Sequence, residues 1–181
     1  MAKLIMWNLS TLDGMMEGAG HDLSWHEDVW GEELERLSME QGRSAGALLF
    51  GRLTYELMAG YWPGETGDIA DFMNRIPKFV FSRSLTRADW NNTTLFHDDA
   101  PEQVARLKRD IGKDIFVFGS ADFSASLIAH DLFDEFRIGL SPHVLGGGTP
   151  LFKPSSRRLK LTLVDAKPLS TGIVILRYVP A

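Results

Sequence analysis

The chain has 181 residues, of which 44% are hydrophobic and 24% are charged, so disordered and fibrous classes are excluded. It contains no cysteine, which excludes disulfide scaffolds, thiolate zinc sites and cysteine nucleophiles. Its 19 Lys and Arg against 24 Asp and Glu leave a net charge of −5, which argues against duplex nucleic acid or an anionic membrane as the main partner.

The N-terminal segment predicts the cellular location of the protein. Its apolar run from Leu4 stops at Asn8, and the small-residue cleavage site of a signal peptide does not follow. The longest uncharged apolar stretch, residues 45–51, is too short to span a bilayer. We therefore expect a cytoplasmic protein with a single domain over residues 1–181.

Short apolar runs rich in Val, Ile, Leu and Phe predict eight strands. They cover about Leu4–Asn8, Ala45–Phe50, Lys78–Phe81, Thr93–Phe96, Asp114–Phe118, Glu135–Leu145, Lys160–Asp165 and Gly172–Tyr178. The runs at 47–50 and 115–118 are continuously apolar, which is typical of strands covered on both faces of a parallel sheet.

Segments with a helical apolar period lie between these strands. The segment from Ser24 to Glu27 matches a capping box, and its apolar stripe stops near Gly42. Predicted helices cover about residues 24–42, 53–60, 101–112 and 120–130. After Asp134 three strand-like stretches follow without a helix, which indicates antiparallel strands added to an alternating β/α core. The sequence predicts one α/β domain with a mixed sheet.

Three junctions at strand ends carry glycine, arginine or both. They are Phe50–Glu56, Phe81–Ser84 and Phe118–Ala121. Gly51 and Gly119 allow a ligand close to the backbone, while Arg52 and Arg83 supply charged donors. Because helix N-termini favour anions, the repeated pattern favours a ligand with several phosphates. At any single junction, a plain turn and a solvated arginine are the stronger alternative.

Five motifs in this order resemble the dihydrofolate reductase-like superfamily, and most closely the C-terminal reductase domain of riboflavin biosynthesis and its stand-alone relatives. The motifs are Ser10–Gly14, Phe50–Glu56, Phe81–Ser84, Phe118–Ser120 and Gly146–Phe152. The resemblance runs from Lys3 to Tyr178. It implies a dihydrofolate reductase-like α/β fold: a central, mostly parallel eight-stranded sheet flanked by helices, with antiparallel C-terminal strands.

The resemblance also implies that NADPH lies across the strand ends. The positions it assigns to the cofactor are Gly51, Arg52, Thr54, Ser82, Arg83, Gly119, Ser120 and Ala121. Arg83 would pair with the 2′-phosphate and favour NADPH over NADH. Ser120 stands where dihydrofolate reductases carry the second of two adjacent glycines.

On the substrate side, the resemblance points to the end of the first strand and the helix after it. Asp13, Trp25 and Trp30 are the expected substrate contacts, and His26 falls in the same stretch. The expected catalytic residues are Glu27 and Asp28, either of which would protonate or orient a ring nitrogen. The alternatives stay open: Glu27 closes a capping box, Asp13 makes a turn, and both tryptophans belong to the core.

The favoured function is an NADPH-dependent reductase that transfers a hydride to a pterin-, pyrimidine- or ribosylamine-like small molecule. The alternative is a catalytically inactive nucleotide-binding protein on the same fold. A weaker alternative is a structural or assembly subunit. The five histidines lack metal-ligand spacing, so no metal is expected. We expect a homodimer, with the strand at 172–178 as a sheet edge.

Overall fold

The computed structural model describes residues 1–155 and 157–181. Its strands are β1 (Leu4–Thr11), β2 (Met15–Glu17), β3 (Ala45–Gly51), β4 (Lys78–Phe81), β5 (Thr93–Phe96), β6 (Asp114–Phe118), β7 (Glu135–Ser141), β8 (Thr149–Pro150), β9 (Leu161–Pro168) and β10 (Val174–Pro180). Its helices are α1 (Trp25–Val29), α2 (Glu32–Ser44), α3 (Arg52–Tyr61), α4 (Asp68–Arg75), α5 (Ala100–Asp110) and α6 (Ala121–Ala129), and a 3₁₀ turn spans Trp62–Gly64.

Eight strands form one sheet in the order β5-β4-β3-β6-β1-β7-β10-β9. The first six of that order are parallel to one another, whereas β10 runs antiparallel to both of its neighbours. The two short strands β2 and β8 form a separate antiparallel ribbon. This sheet confirms the predicted mostly parallel eight-stranded architecture with antiparallel C-terminal strands.

Both faces of the sheet carry helices, so the central strands are buried on both sides. Along β1, Leu4 and Met6 pack with Leu127 of α6 on one face. The next residue in the alternation, Ile5, packs with Tyr55 of α3 on the other face. This double burial explains why the central strands have continuous apolar sequences.

The helix predicted over residues 24–42 is interrupted. Helix α1 ends at Val29, and Gly31 is in extended backbone before α2 begins. The Ser24 side chain makes no cap hydrogen bond; its backbone N–H donates to the Asp22 carboxylate. The capping-box prediction was therefore wrong, because an aspartate two residues earlier supplies the acceptor.

The prediction of residues 172–178 as a sheet edge was also wrong. Strand β10 lies between β7 and β9, so β9 is the outer strand on that side. The short connection after β9 brings β10 back antiparallel to it. Strand β9 therefore covers the edge that β10 would otherwise expose. Within residues 1–155 and 157–181, no helix has the length and apolar character needed to cross a membrane.

Candidate functional site

A groove of about 970 Å³ opens where the parallel strands β3, β4 and β6 end. Loops after neighbouring parallel strands meet at one edge of the sheet, where backbone donors are free to meet a ligand. Seven of the eight residues predicted to bind the cofactor line this groove: Gly51, Arg52, Thr54, Ser82, Arg83, Ser120 and Ala121. The eighth, Gly119, lines an adjacent cavity.

Two hydrogen bonds lock the junctions after β3 and β6 together. The Gly51 N–H donates to the Ser120 hydroxyl at 2.7 Å, and the Ser120 N–H donates to the Thr54 hydroxyl at 2.8 Å. Helices α3 and α6 begin at these junctions, so their N-terminal ends lie side by side at the groove. The first N–H groups of a helix have no intrahelical partner and carry its positive dipole end, so the pair favours an anion.

The close approach of these helices depends on Gly119. A Cβ atom at this position would lie 2.7 Å from the Thr54 hydroxyl oxygen, and the backbone has a φ of +58°. Ser120 also has a φ of +58°, which costs a non-glycine residue about 1 kcal/mol. The two hydrogen bonds of Ser120 to the β3–α3 junction hold it in this conformation.

The two arginines of the groove differ in their surroundings. Arg52 is paired with Glu56, one turn along α3, at 2.9 Å. Arg83 is exposed and forms no ion pair with any residue in the described part of the chain. Arg83 is therefore the cation with more freedom to meet an anionic ligand. Ser82 is less free, since its hydroxyl accepts N–H groups of its own turn.

The groove also contains basic side chains that the sequence did not single out. His97 contacts the Ser82 carbonyl through Nδ1 at 2.8 Å, and His130 contacts the Ser126 carbonyl in the same way at 2.9 Å. Because a carbonyl only accepts, Nδ1 carries the proton in both rings. Their spacing in sequence, on separate loops, gave no signal that they share a site.

A second cavity, of about 270 Å³, adjoins the groove. The residues that line both spaces are Met16, Glu17, Thr54 and Leu57. The walls of this apolar cavity are mostly aromatic and aliphatic, including Trp7, Trp30, Trp62, Phe72, Phe116 and Phe118. Among its described lining residues, only Glu17 and His26 have acidic or imidazole side chains.

Glu17 occupies the boundary between the groove and the apolar cavity. Its side chain is 13% exposed, and its Oε1 accepts the Thr149 hydroxyl at 2.6 Å and lies 2.9 Å from His21 Nδ1. Sequence patterns contain little signal for this residue, because β2 has only three residues and is held by its pairing with β8. It is the one carboxylate among the described residues that line the apolar cavity.

Three buried side-chain nitrogens at this cavity lack a hydrogen-bond partner among the described residues. They are Asn8 Nδ2, His26 Nε2 and Gln41 Nε2, and all three residues line the cavity. Burial lowers the pKa of His26 to about 4, so its ring is neutral near pH 7. The sequence placed His26 in the substrate stretch but gave no reason to select Asn8 or Gln41.

The predicted substrate contacts are separated in the structure. Trp30 lines the apolar cavity, whereas Trp25 is 3% exposed and packs in the core between the sheet and the helix pair α1–α2. The carboxylate of Asp13 accepts the Thr11 hydroxyl at 2.6 Å and the N–H groups of Leu145 and Gly146. These hydrogen bonds, that from Thr11 first, lower the Asp13 pKa and hold the turn after β1.

The two predicted catalytic carboxylates lie outside the walls of both spaces. Glu27 and Asp28 are exposed on α1, and Asp28 is 3.1 Å from His143 Nε2. His143 is in turn 2.6 Å from the Ser141 hydroxyl at the end of β7. This chain of contacts ties α1 to the sheet, which favours a structural role for Asp28. Their role as proton donors stays a prediction.

Across residues 1–155 and 157–181, no cluster of three or more His, Asp or Glu side chains has the arrangement of a metal site.

Comparison with known proteins agrees with this geometry. The chain is 30% identical to the uncharacterized protein YyaP of Bacillus subtilis (strain 168), over 97% of this chain and 94% of that protein. A putative riboflavin biosynthesis protein from Shewanella sp. PV-4 has a TM-score of 0.83 at 19% identity, covering 100% of this chain and 99% of that one.

Dihydrofolate reductase from Enterococcus faecalis shares the fold more distantly, with a TM-score of 0.65 at 13% identity, covering 99% of this chain and 96% of that one. The architecture is therefore dihydrofolate reductase-like. The family model of the RibD C-terminal domain matches residues 2–175. The chain belongs to the RibD C-terminal domain family, a family of reductase type.

Proposed function

We propose that the protein is an NADPH-dependent reductase acting on a small organic molecule. The observation that carries the proposal is the contact between two unlike spaces. A polar groove with two helix N-termini adjoins an apolar cavity, and both are lined by Met16, Glu17, Thr54 and Leu57. A dinucleotide needs such a pair, since its phosphates are charged while its nicotinamide ring is planar and largely apolar.

The residues of the groove fit such a cofactor. The paired N-termini of α3 and α6 supply N–H donors for phosphate, and the glycines at 51 and 119 let the two junctions pack closely together. Arg83 supplies an unpaired cation for a 2′-phosphate, as the resemblance implied. The solved dihydrofolate reductase of Enterococcus faecalis is described as complexed with NADP(H), which supports the same cofactor here.

NADPH would supply a hydride, and the chain must orient the acceptor and provide a proton. The aromatic walls at Trp7, Trp30 and Phe118 exclude water and hold a flat ring by contact. We place the proton source at Glu17 in preference to Glu27 or Asp28, because Glu17 reaches the cavity wall. The hydroxyl of Thr149 and the ring of His21 hold its carboxylate there.

We also propose that the chain forms a homodimer through β9. This strand is the outer strand of the sheet next to β10, and seven of its eight residues are exposed. Leu163 and Val164 lie where the pairing of β9 with β10 shifts register, and they are 52% and 45% exposed. An exposed apolar edge strand of this length is a template for strand pairing.

The first experiment is a titration of the purified protein with NADPH and with NADH. Trp7, Trp30 and Trp62 line the apolar cavity, so their fluorescence reports a bound nicotinamide without knowledge of the substrate. We expect micromolar affinity for NADPH and weaker binding of NADH. If neither dinucleotide binds, the reductase proposal fails. If NADPH binds but small oxidised substrates never consume it, the inactive nucleotide-binding alternative replaces the proposal.

A further inference from the structure

The orientations of two buried carboxamides at the apolar cavity are fixed by their partners. The Gly119 N–H donates to Asn8 Oδ1, and Arg137 Nη1 donates to Gln41 Oε1 at 2.8 Å. Backbone N–H and guanidinium groups only donate, so each amide must turn its oxygen towards them. The NH₂ groups of Asn8 and Gln41 are therefore committed to the opposite direction.

These two NH₂ groups have no partner among the described residues. Asn8 is 7% exposed and Gln41 is 8% exposed, so solvent does not satisfy them freely. Buried donors without partners weaken the folded state, and native proteins keep few of them. Both residues line the apolar cavity, so acceptor atoms of a ligand would complete their hydrogen bonds.

The cavity is poor in charge that a ligand would meet. Its described lining contains no lysine or arginine. Arg137, which lies behind Gln41, is already paired with Glu135 at 2.6 Å. The Glu17 carboxylate accepts hydrogen bonds from its own neighbours, and His26 is neutral because burial lowers its pKa to about 4. A phosphate or carboxylate would therefore enter without a cation to compensate it.

We infer that the apolar cavity selects uncharged heterocycles whose carbonyl oxygens accept hydrogen bonds from Asn8 and Gln41. This inference rests on the proposed reductase function and narrows its substrate class. It disfavours a substrate that carries a phosphorylated sugar in this cavity, and it disfavours rings that carry amino groups in place of the carbonyls. Gln41 is the specificity-determining residue that can be tested by substitution, because Arg137 fixes the orientation of its amide.

Two bicyclic probes with the same ring skeleton separate the possibilities. Pteridine-2,4-dione presents carbonyl acceptors where 2,4-diaminopteridine presents amino donors, and uridine 5′-monophosphate adds a phosphate. By isothermal titration calorimetry we expect the unmodified protein to bind the dione at least about tenfold more tightly than the diamine or the nucleotide. Equal or tighter binding of the diamine or the nucleotide would overturn the inference, as would failure of the dione to bind at millimolar concentration.

The variant Gln41→Glu keeps an oxygen for Arg137 but replaces the free NH₂ by an acceptor. We expect it to lose affinity for the dione by at least about tenfold and to narrow or reverse the preference over the diamine. Ser38→Ala is the matched control, since Ser38 lines the same cavity while its hydroxyl is used by the Leu34 carbonyl. The control should bind the dione unchanged. An unchanged affinity in Gln41→Glu would overturn the role of Gln41.

The affinity for NADPH separates this inference from the reductase proposal. The unmodified protein is the one to titrate with NADPH, because Gln41 lines the cavity in which the nicotinamide ring is also placed. If the dione binds with the expected preferences and NADPH does not, the reductase proposal fails and the cavity assignment holds. If NADPH binds and the dione shows no preference, the cavity assignment fails alone.

Discussion

At the scale of single residues, Arg52 and Arg83 show how neighbours decide what a charge can do. Both follow buried strands and both line the groove. Arg52 already has a carboxylate partner on its own helix, so a ligand must compete with Glu56 for it. Arg83 has no such competitor among the described residues, and its long side chain is exposed. The proposed cofactor selectivity therefore resides in Arg83.

The substitution Arg83→Ala should weaken NADPH by about tenfold or more and change NADH little, because only NADPH carries a 2′-phosphate for a charged hydrogen bond. The fluorescence titration measures both affinities. Arg52→Ala is the matched variant, for which both dinucleotides should weaken together. Equal losses of the two cofactors in Arg83→Ala would remove Arg83 from the 2′-phosphate site.

His26 makes the stability of the fold sensitive to acid. Burial lowers its pKa to about 4 from 6.5, so between these values the unfolded chain binds a proton that the folded chain does not. The free energy of unfolding therefore falls as the pH drops from 6.5 towards 4, by on the order of 3 kcal/mol from this group. Above pH 6.5 the contribution of His26 to the free energy of unfolding is constant.

Urea unfolding between pH 4 and 7.5 measures this dependence. The variant His26→Phe, which keeps an aromatic ring beside Trp25, should flatten the curve in that window. His130→Gln removes an exposed histidine and should leave the curve unchanged. A curve for His26→Phe as steep as that of the unmodified protein would mean that other groups cause the acid sensitivity.

At the scale of elements, the groove depends on how two strand–helix junctions are joined. Thr54 belongs to α3, yet its hydroxyl accepts the N–H at the start of α6. Thr54→Val removes that acceptor and leaves the buried Ser120 N–H unpaired, so we expect a loss of about 1–3 kcal/mol in the free energy of unfolding. NADPH affinity should fall as well, because the N-terminal ends of the two helices are no longer held side by side.

The variant Thr54→Ser is the control for this prediction, since it keeps the hydroxyl and loses only a methyl group. It should retain most of the stability and most of the NADPH affinity in chemical denaturation and fluorescence titration. If Thr54→Val and Thr54→Ser are equally stable, the hydroxyl contributes nothing and packing alone joins the junctions.

The elements that the sequence predicted are those with strong local patterns. The short apolar runs predicted all eight strands of the sheet, and the predicted helix at 120–130 matches α6. The ribbon strands β2 and β8 escaped prediction because three and two residues carry no period, and pairing alone defines them. Helix α4 escaped because it is short and lies between Gly67 and Pro77, in a stretch rich in turn residues.

The candidate site divides in the same way. Glycine and arginine after buried strands are local signals, and they predicted Gly51, Arg52 and Arg83 in the groove lining. The polar groups of the apolar cavity come from distant elements: Asn8 from β1, Glu17 from β2 and Gln41 from α2. Each is an ordinary polar residue in sequence. Their role in the cavity depends on burial, and for Asn8 and Gln41 also on a donor that fixes the orientation of the amide. Only the folded chain creates these conditions.

At the scale of the whole molecule, the sheet has two unlike outer strands. On one side β5 has four residues, which is too short to offer a long pairing edge. On the other side β9 has eight residues, and its exposed Leu163 and Val164 supply apolar surface. The asymmetry singles out β9 as the place where a second copy would bury the most surface with the least change in the fold.

Light scattering coupled to size exclusion should therefore give twice the chain mass of 20.2 kDa. Leu163→Glu places a charge at the proposed contact and should shift the protein towards the monomer, because an unpaired buried carboxylate opposes association. Val144→Glu is the matched control: Val144 is 69% exposed in the loop between β7 and β8, so its substitution should leave the mass unchanged. A monomeric unmodified protein would remove the dimer, and a dimeric Leu163→Glu would move the interface away from β9.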